Sequence, residues 1–380
     1  MQYLLSLILG LAILIQPNTT KRNRLPIYKV SSFNVPSESA GIVHMGQYGR
    51  YVLIEGQKRI SCYDTKTRQL RTIMQIPSGV LLRSILSPNE ERVMLYQIYS
   101  PRDQITLTLY DTQNLKKQWA KSFKYTFPIS PQSSPSFGKL IFSPDSQYVA
   151  WLEHDESQPP NTVLRIVNTT TGDSKTLSLW TKAFTRQMPN EYYLMANGII
   201  QWKSPQAISV FAAYRQDGNA DVVHVGSVSI PNGELIGEVK EYKDVPNYIL
   251  DNGHAVFVRE DGISVGTSQA PLDFYMHIPE DLSSSEGVMS FDFATRQSWL
   301  VGAGYYDAKP LTDVERLKVW LFDLKTHEKW LLFHPKETIR GNHIGATIGI
   351  SQNGTTLCFA ASNLRGGKQY YIMKLQATRQ

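Results

Sequence analysis

A chain of 380 residues with 42% hydrophobic content has enough apolar surface for one substantial core, at a length that closed β folds commonly reach. Its 39 Lys+Arg against 33 Asp+Glu leave a formal charge of +6. That excess is scattered, with no basic run beyond Lys21-Arg22-Asn23-Arg24, which argues against nucleic acid as a partner. Two cysteines are too few for a disulfide-stapled scaffold or a cysteine zinc site.

The chain begins with a 13-residue apolar run, Tyr3 to Ile15. That length suits a signal-peptide core and falls short of the roughly 20 residues that span a bilayer. Residues 1–20 are expected to be an export signal, or a short hydrophobic segment whose residues 3–15 contact the membrane if uncleaved. The remainder, residues 21–380, is expected to be one extracytoplasmic domain, whether periplasmic, cell-envelope or secreted. A polar lead then carries one strand candidate, Pro26 to Val35.

From about Gly41 onward, short β-rich runs recur between turn residues. The most regular copy is Leu140 to Leu177, where Leu140 to Phe142, Tyr148 to Glu153, Val163 to Val167 and Ser174 to Leu179 read as four strands. Ser143-Pro144-Asp145-Ser146 forms its first turn, and Asn168 to Gly172 its second. Four short strands repeated at a steady period signal a β-propeller. Successive first turns, near residues 46, 87, 143, 204, 250, 293 and 351, are 41 to 61 residues apart. Seven blades are expected, with six or eight as the neighbouring counts, at about 41–77, 79–125, 137–179, 194–243, 246–278, 287–334 and 345–376.

Asp64, Asp111, Asn168 and Asp323 open the second turns at one register. This recurrence makes them turn formers, whose side chains accept a backbone N–H two residues on, rather than catalytic acids. The last copy ends five residues after its third strand, Tyr370 to Leu375. Residues 26–35 are therefore expected to supply its missing fourth strand and close the ring. Cys62 and Cys358 sit inside apolar runs (60–63 and 357–360) and read as buried thiols. A disulfide between them stays open as the alternative, because ring closure would put their blades side by side.

At Phe142-Ser143-Pro144-Asp145-Ser146, followed by Val149-Ala150-Trp151 and Arg165-Ile166-Val167-Asn168, the chain resembles the TolB-type, WD40-like (PD40) repeats of bacterial exported propellers. The likeness extends in part to Leu86-Ser87-Pro88-Asn89 and Ile350-Ser351-Gln352-Asn353-Gly354. Ser146 and Glu90 stand where those repeats usually carry glycine. The resemblance implies a propeller in an envelope setting and brings no catalytic residues with it.

Within a blade, the turns joining strands one and two and strands three and four share one face of the ring. Connections between strands two and three, and between blades, share the other. Nearly all the extra chain length falls in that second group, and long loops on a rigid scaffold are where function concentrates. Tyr99, Arg102, His154, Asp155, Arg186, Arg215, Tyr305, Tyr306, Lys309, Arg340, Arg365 and Lys368 are its candidate binding residues, Tyr and Arg being enriched at binding hot spots. Glu153-His154-Asp155-Glu156 is the densest ionisable group and the first place to look for metal or acid/base chemistry. Four consecutive residues do not converge on one ion, however, and no metal or cofactor is expected. The other histidines, His44 among them, read as isolated.

These observations predict an exported monomer that binds a protein, or a small polyanionic or carbohydrate ligand, through its long-loop face without catalysis. The alternative is an enzyme of lyase or glycosidase type, with carboxylates or a histidine from several blades converging at the channel.

Overall fold

The computed structural model describes residues 27–35, 42–56, 58–77, 82–99, 104–126, 140–154, 162–178, 192–193, 200–215, 221–230, 232–242, 246–250, 252–259, 262–266, 274–277, 288–294, 298–307, 315–326, 328–333, 347–362 and 368–376. The strands form seven antiparallel sheets arranged in a ring. Blade 1 contains strands Ile42–Met45, Tyr51–Glu55, Arg59–Asp64 and Gln69–Gln75; blade 2, Leu82–Leu86, Arg92–Tyr99, Gln104–Asp111 and Lys117–Lys124; blade 3, Ile141–Phe142, Tyr148–His154, Thr162–Asn168 and Ser174–Ser178. Blade 4 comprises Tyr192–Tyr193 with Ile200–Ser204, then Ala207–Arg215, Asp221–Ser229 and Leu235–Tyr242; blade 5, Tyr248–Ile249, Ala255–Arg259, Gly262–Gly266 and Phe274–His277. Blade 6 holds Val288–Ala294, Trp299–Asp307, Glu315–Asp323 and Lys329–Phe333, and blade 7 holds Thr347–Ile350, Thr356–Ser362 and Lys368–Gln376.

The ring closes as the chain's ends predict. Strand Ile27–Val35 pairs antiparallel with Lys368–Gln376 over nine positions, from Ile27 opposite Gln376 to Val35 opposite Lys368. It thereby becomes the outer strand of blade 7 and covers what would be an open edge. Phe33 fixes this strand sideways as well, stacking on Tyr63 of blade 1 with ring centroids 3.8 Å apart and on Tyr370 at 5.4 Å.

Alternation along the strands builds the core. Side chains two apart face the same neighbour, so Val52 and Ile54 pack toward blade 7 while Tyr51 and Leu53 pack toward blade 2. The buried apolar residues accordingly fall into seven clusters, one at each seam between consecutive blades, including the seam that joins blade 7 to blade 1. No blade buries both its faces alone, which makes the ring the stable unit.

Blade 4 departs from expectation. Tyr192 and Tyr193 pair with Tyr214 and Ala213, beyond the point where Ile200 pairs with Val210. Its inner edge therefore contains two strand pieces, the first lying before the expected blade start at about residue 194.

The first turns are held by a serine whose role the sequence pattern conceals. Ser87, Ser143 and Ser351 are fully buried. Each donates its hydroxyl to the Oδ1 of Asn89, Asp145 or Asn353, and accepts the backbone N–H of Arg92, Tyr148 or Thr356. A buried hydroxyl needs both partners, and the turn supplies them within six residues. The second turns behave as expected: Asp64, Asp111, Asn168 and Asp323 all accept backbone N–H groups two or three residues on.

Candidate functional site

Hydrogen bonds between neighbouring blades link the turns on the tight-turn face. On the tight-turn face, each described first turn from blade 7 through blade 3 bonds to its neighbour. Gln352 and Asn353 donate backbone N–H groups to the carbonyls of Gly46 and Gln47, Gln47 donates to Pro88, and Asn89 donates to Ser146 Oγ. Farther out, Arg71 of blade 1 donates to the carbonyls of Thr112 and Gln113 in the second turn of blade 2. Trp119 and Lys121 of blade 2 do the same to Thr169 and Thr171 of blade 3.

Glu90 and Ser146 explain why glycine is dispensable in two of these turns. Both adopt left-handed backbone angles, with φ of 63° and 62°, where Gly49 and Gly354 have 65° and 71°. A non-glycine residue is strained there by about 1–2 kcal/mol, and each offsets this with a cross-blade bond. Ser146 Oγ accepts from Asn89. The Glu90 carboxylate enters the first turn of blade 1 and accepts the N–H groups of Tyr48, Gly49, Arg50 and Tyr51. Burial pushes its pKa above the usual carboxylate range, and the four donors only partly offset that. From the other side, Lys374 of blade 7 donates to Gly49 O, Thr65 Oγ1 and Thr356 Oγ1. Burial lowers its pKa, against the opposing charge of Glu90.

The opposite face gathers the candidate binding residues. Tyr99 pairs with Gln104, His154 with Thr162, Arg215 with Asp221, Tyr305 with Leu317, Tyr306 with Arg316, and Lys368 with Ser362. These backbone positions all lie at the ends of second and third strands, so the topology places them on one rim. Arg102, Asp155, Arg186, Lys309, Arg340 and Arg365 lie outside the described residues, as does the apolar run 3–15.

Glu153 is not available for metal or acid/base chemistry. It is 1% exposed and accepts from Arg165 Nε at 2.6 Å, Arg165 Nη2, Trp151 Nε1 and the backbone N–H of Thr126. Arg165 also bonds the Lys124 carbonyl and Thr126 Oγ1, sealing the seam between blades 2 and 3. Among the described residues, no group of three or more His, Cys, Asp or Glu side chains is placed to hold a metal ion.

Around the axis, side chains from one blade satisfy the inner backbone of the next. Glu55 Oε2 accepts the N–H of Ser84 at 2.8 Å, Asp292 Oδ2 accepts that of Ile350 at 2.9 Å, and the Gln201 amide bonds both N–H and carbonyl of Ile249. Innermost strands have one unpaired edge, and these clasps cap it. Sequence reading missed all three, because a clasp joins residues 29 to 58 positions apart. The available signals were charged residues in apolar strands, Glu55 at the end of Tyr51–Glu55 and Asp292 within Val288–Ala294.

The cysteines do not pair. Both are free and buried, Cys62 in the seam between blades 1 and 2 and Cys358 in the seam between blades 7 and 1, so blade 1 separates them and the disulfide alternative falls. Burial raises both thiols, Cys62 to about 12, which leaves them unreactive.

No protein-family model matches the chain, and no curated protein does. Solved structures resemble it throughout. The Swd1 β-propeller domain of Myceliophteria thermophila is 10% identical, with a TM-score of 0.56, covering 92% of this chain and 100% of its own. A chain of the mitotic checkpoint complex is 8% identical, with a TM-score of 0.51, over 93% and 96%. The oligogalacturonate lyase of Vibrio parahaemolyticus is 11% identical, with a TM-score of 0.50, over 92% and 98%. At such identities the likeness shows the fold alone. A fold shared by an assembly component and a lyase is compatible with binding or with catalysis.

Proposed function

We propose that the protein is an exported, TolB-type propeller that binds a protein partner through its long-loop face and carries out no catalysis. The observation that carries this reading is that strand ends bearing Tyr99, His154, Arg215, Tyr305, Tyr306 and Lys368 share one face with nearly all the surplus chain length. Two further observations are in line with it. The buried carboxylates Glu55, Glu90 and Glu153 each hold backbone or an arginine in place, and similar folds include a chain of a multiprotein complex. The Tyr3 to Ile15 run supports export.

The test compares two sets of surface variants of the full chain, immobilised and exposed to cell-envelope proteins. Arg102→Ala with Arg365→Ala, on the long-loop side, is expected to lose the partner. Lys66→Ala with Lys325→Ala, exposed in second turns on the other face, is expected to keep it. Loss with the second pair and retention with the first would reverse the assignment of faces.

A further inference from the structure

The seam between blades 1 and 2 contains a polar cluster that the clasp at this position does not require. Glu55, whose side chain is 5% exposed, uses Oε2 to cap Ser84, accepting from its N–H and its hydroxyl. Its Oε1 accepts from Arg83 Nη1 at 2.7 Å. The same capping task is performed at the seam between blades 4 and 5 by the neutral amide of Gln201. Folding can thus be served there without a charge, and a buried carboxylate with its arginine carries a desolvation penalty that a neutral amide avoids.

Arg83 is also open to solvent. Its side chain is 43% exposed, against 11% for Arg165, whose partner Glu153 lies in its own blade. It sits on the innermost strand of blade 2, near the long-loop end, paired across to Tyr96. Burial raises the Tyr96 hydroxyl well above its ordinary range, and the Glu55 charge adds to this, so it stays neutral. His44, on the innermost strand of blade 1, places Nε2 4.0 Å from Glu55 Oε2. The hydrogen bond that Arg83 donates to Glu55 holds the guanidinium charged and restricts its rotation, so one fixed cation faces the solvent with much of its ordering cost already met.

We infer that Arg83, steadied by Glu55, anchors a carboxylate group of a ligand that enters over blades 1 and 2. A planar guanidinium fork matches a carboxylate. The fixed negative charge of Glu55 favours a singly charged group over a phosphate dianion. This deepens the binding-platform reading and rests on it for the access face.

The test follows the Nε–Hε resonance of Arg83 in the 15N-labelled full chain, assigned by its disappearance in Arg83→Lys. Three probes are titrated: acetyl-Gly-Glu-Gly-amide, its neutral counterpart acetyl-Gly-Gln-Gly-amide, and glutarate. The glutamyl peptide is expected to shift the resonance to saturation and the glutaminyl peptide to leave it in place. Arg83→Lys, which keeps a charge beside Glu55 and so remains folded by circular dichroism, is expected to bind the glutamyl peptide about tenfold more weakly. Glutarate binding as tightly as the peptide would support the site and assign it to free acids. Weaker glutarate binding would support it as a reader of acidic side chains. A resonance unmoved by either carboxylate, or moved equally by the glutaminyl peptide, overturns the inference. Loss of the face assignment alone would instead leave this titration intact while the Arg102 and Arg365 variants kept their partner.

Discussion

Replacing Glu90 by alanine removes one side chain and strands four backbone donors of a different blade. Two of them, Gly49 and Tyr51, make buried hydrogen bonds to the carboxylate, and the other two are partly buried. Leaving a buried N–H without a partner costs about 1–3 kcal/mol, and water entering the vacated space recovers part of this. A net loss of about 3 kcal/mol follows. With an unfolding entropy of about 2.1 cal/mol/K per residue over a chain of 380 residues, that lowers Tm by about 4 °C. Differential scanning calorimetry measures it. A shift below about 1 °C would mean that the turn ring is not held by this carboxylate. Glu90→Gln adds a sign test. Because burial raises the folded-state pKa of Glu90, its titration favours the folded state most below the unfolded value of about 4.3, and the advantage is lost as pH rises through the folded pKa. Stability of the wild type relative to Glu90→Gln should therefore fall as pH increases across that window. A rise would show that the four donors, not burial, govern the group.

Arg165→Met alone should destabilise by about 3–5 kcal/mol, since it leaves Glu153 buried without its partner, whereas Arg165→Met with Glu153→Leu should recover most of that loss; urea titration of both variants distinguishes the two. Phe33→Ala, which removes the stacking on Tyr63 and Tyr370, should cost about 2–3 kcal/mol and raise hydrogen exchange first in the 27–35 strand. Cys62 and Cys358 should react with a thiol reagent at pH 8 only at the rate of unfolding, because both are buried and their pKa values raised; fast labelling in native buffer would contradict the packing of those two seams.

What the sequence discloses and what it hides divide along contact range. Asp64, Asp111, Asn168 and Asp323 could be read as turn formers because their hydrogen bonds reach only two or three residues. The closing strand was legible for a related reason: the last sheet lacked a member, and only one segment was left to supply it. Long-range contacts had no such local signature. Glu90 looked like an odd replacement for glycine, yet its carboxylate serves a turn 39 to 42 residues earlier. Glu153 looked like part of an ionisable cluster, and its partner Arg165 lies across a hairpin that periodicity alone does not register. His44 read as isolated because Glu55 comes near it only once their two strands pair. The surplus loops were identifiable by length, a property visible in sequence, while what their side chains contact depends on the partner.

Hydrogen exchange of the full chain, alone and with its captured partner, tests the assignment of the binding face most directly. Slowed exchange is expected at the strand ends around Tyr99–Gln104, His154–Thr162, Arg215–Asp221 and Ser362–Lys368, with the turns at 65–68 and 324–326 unchanged. Protection confined to those turns would place the partner on the opposite face and contradict the account.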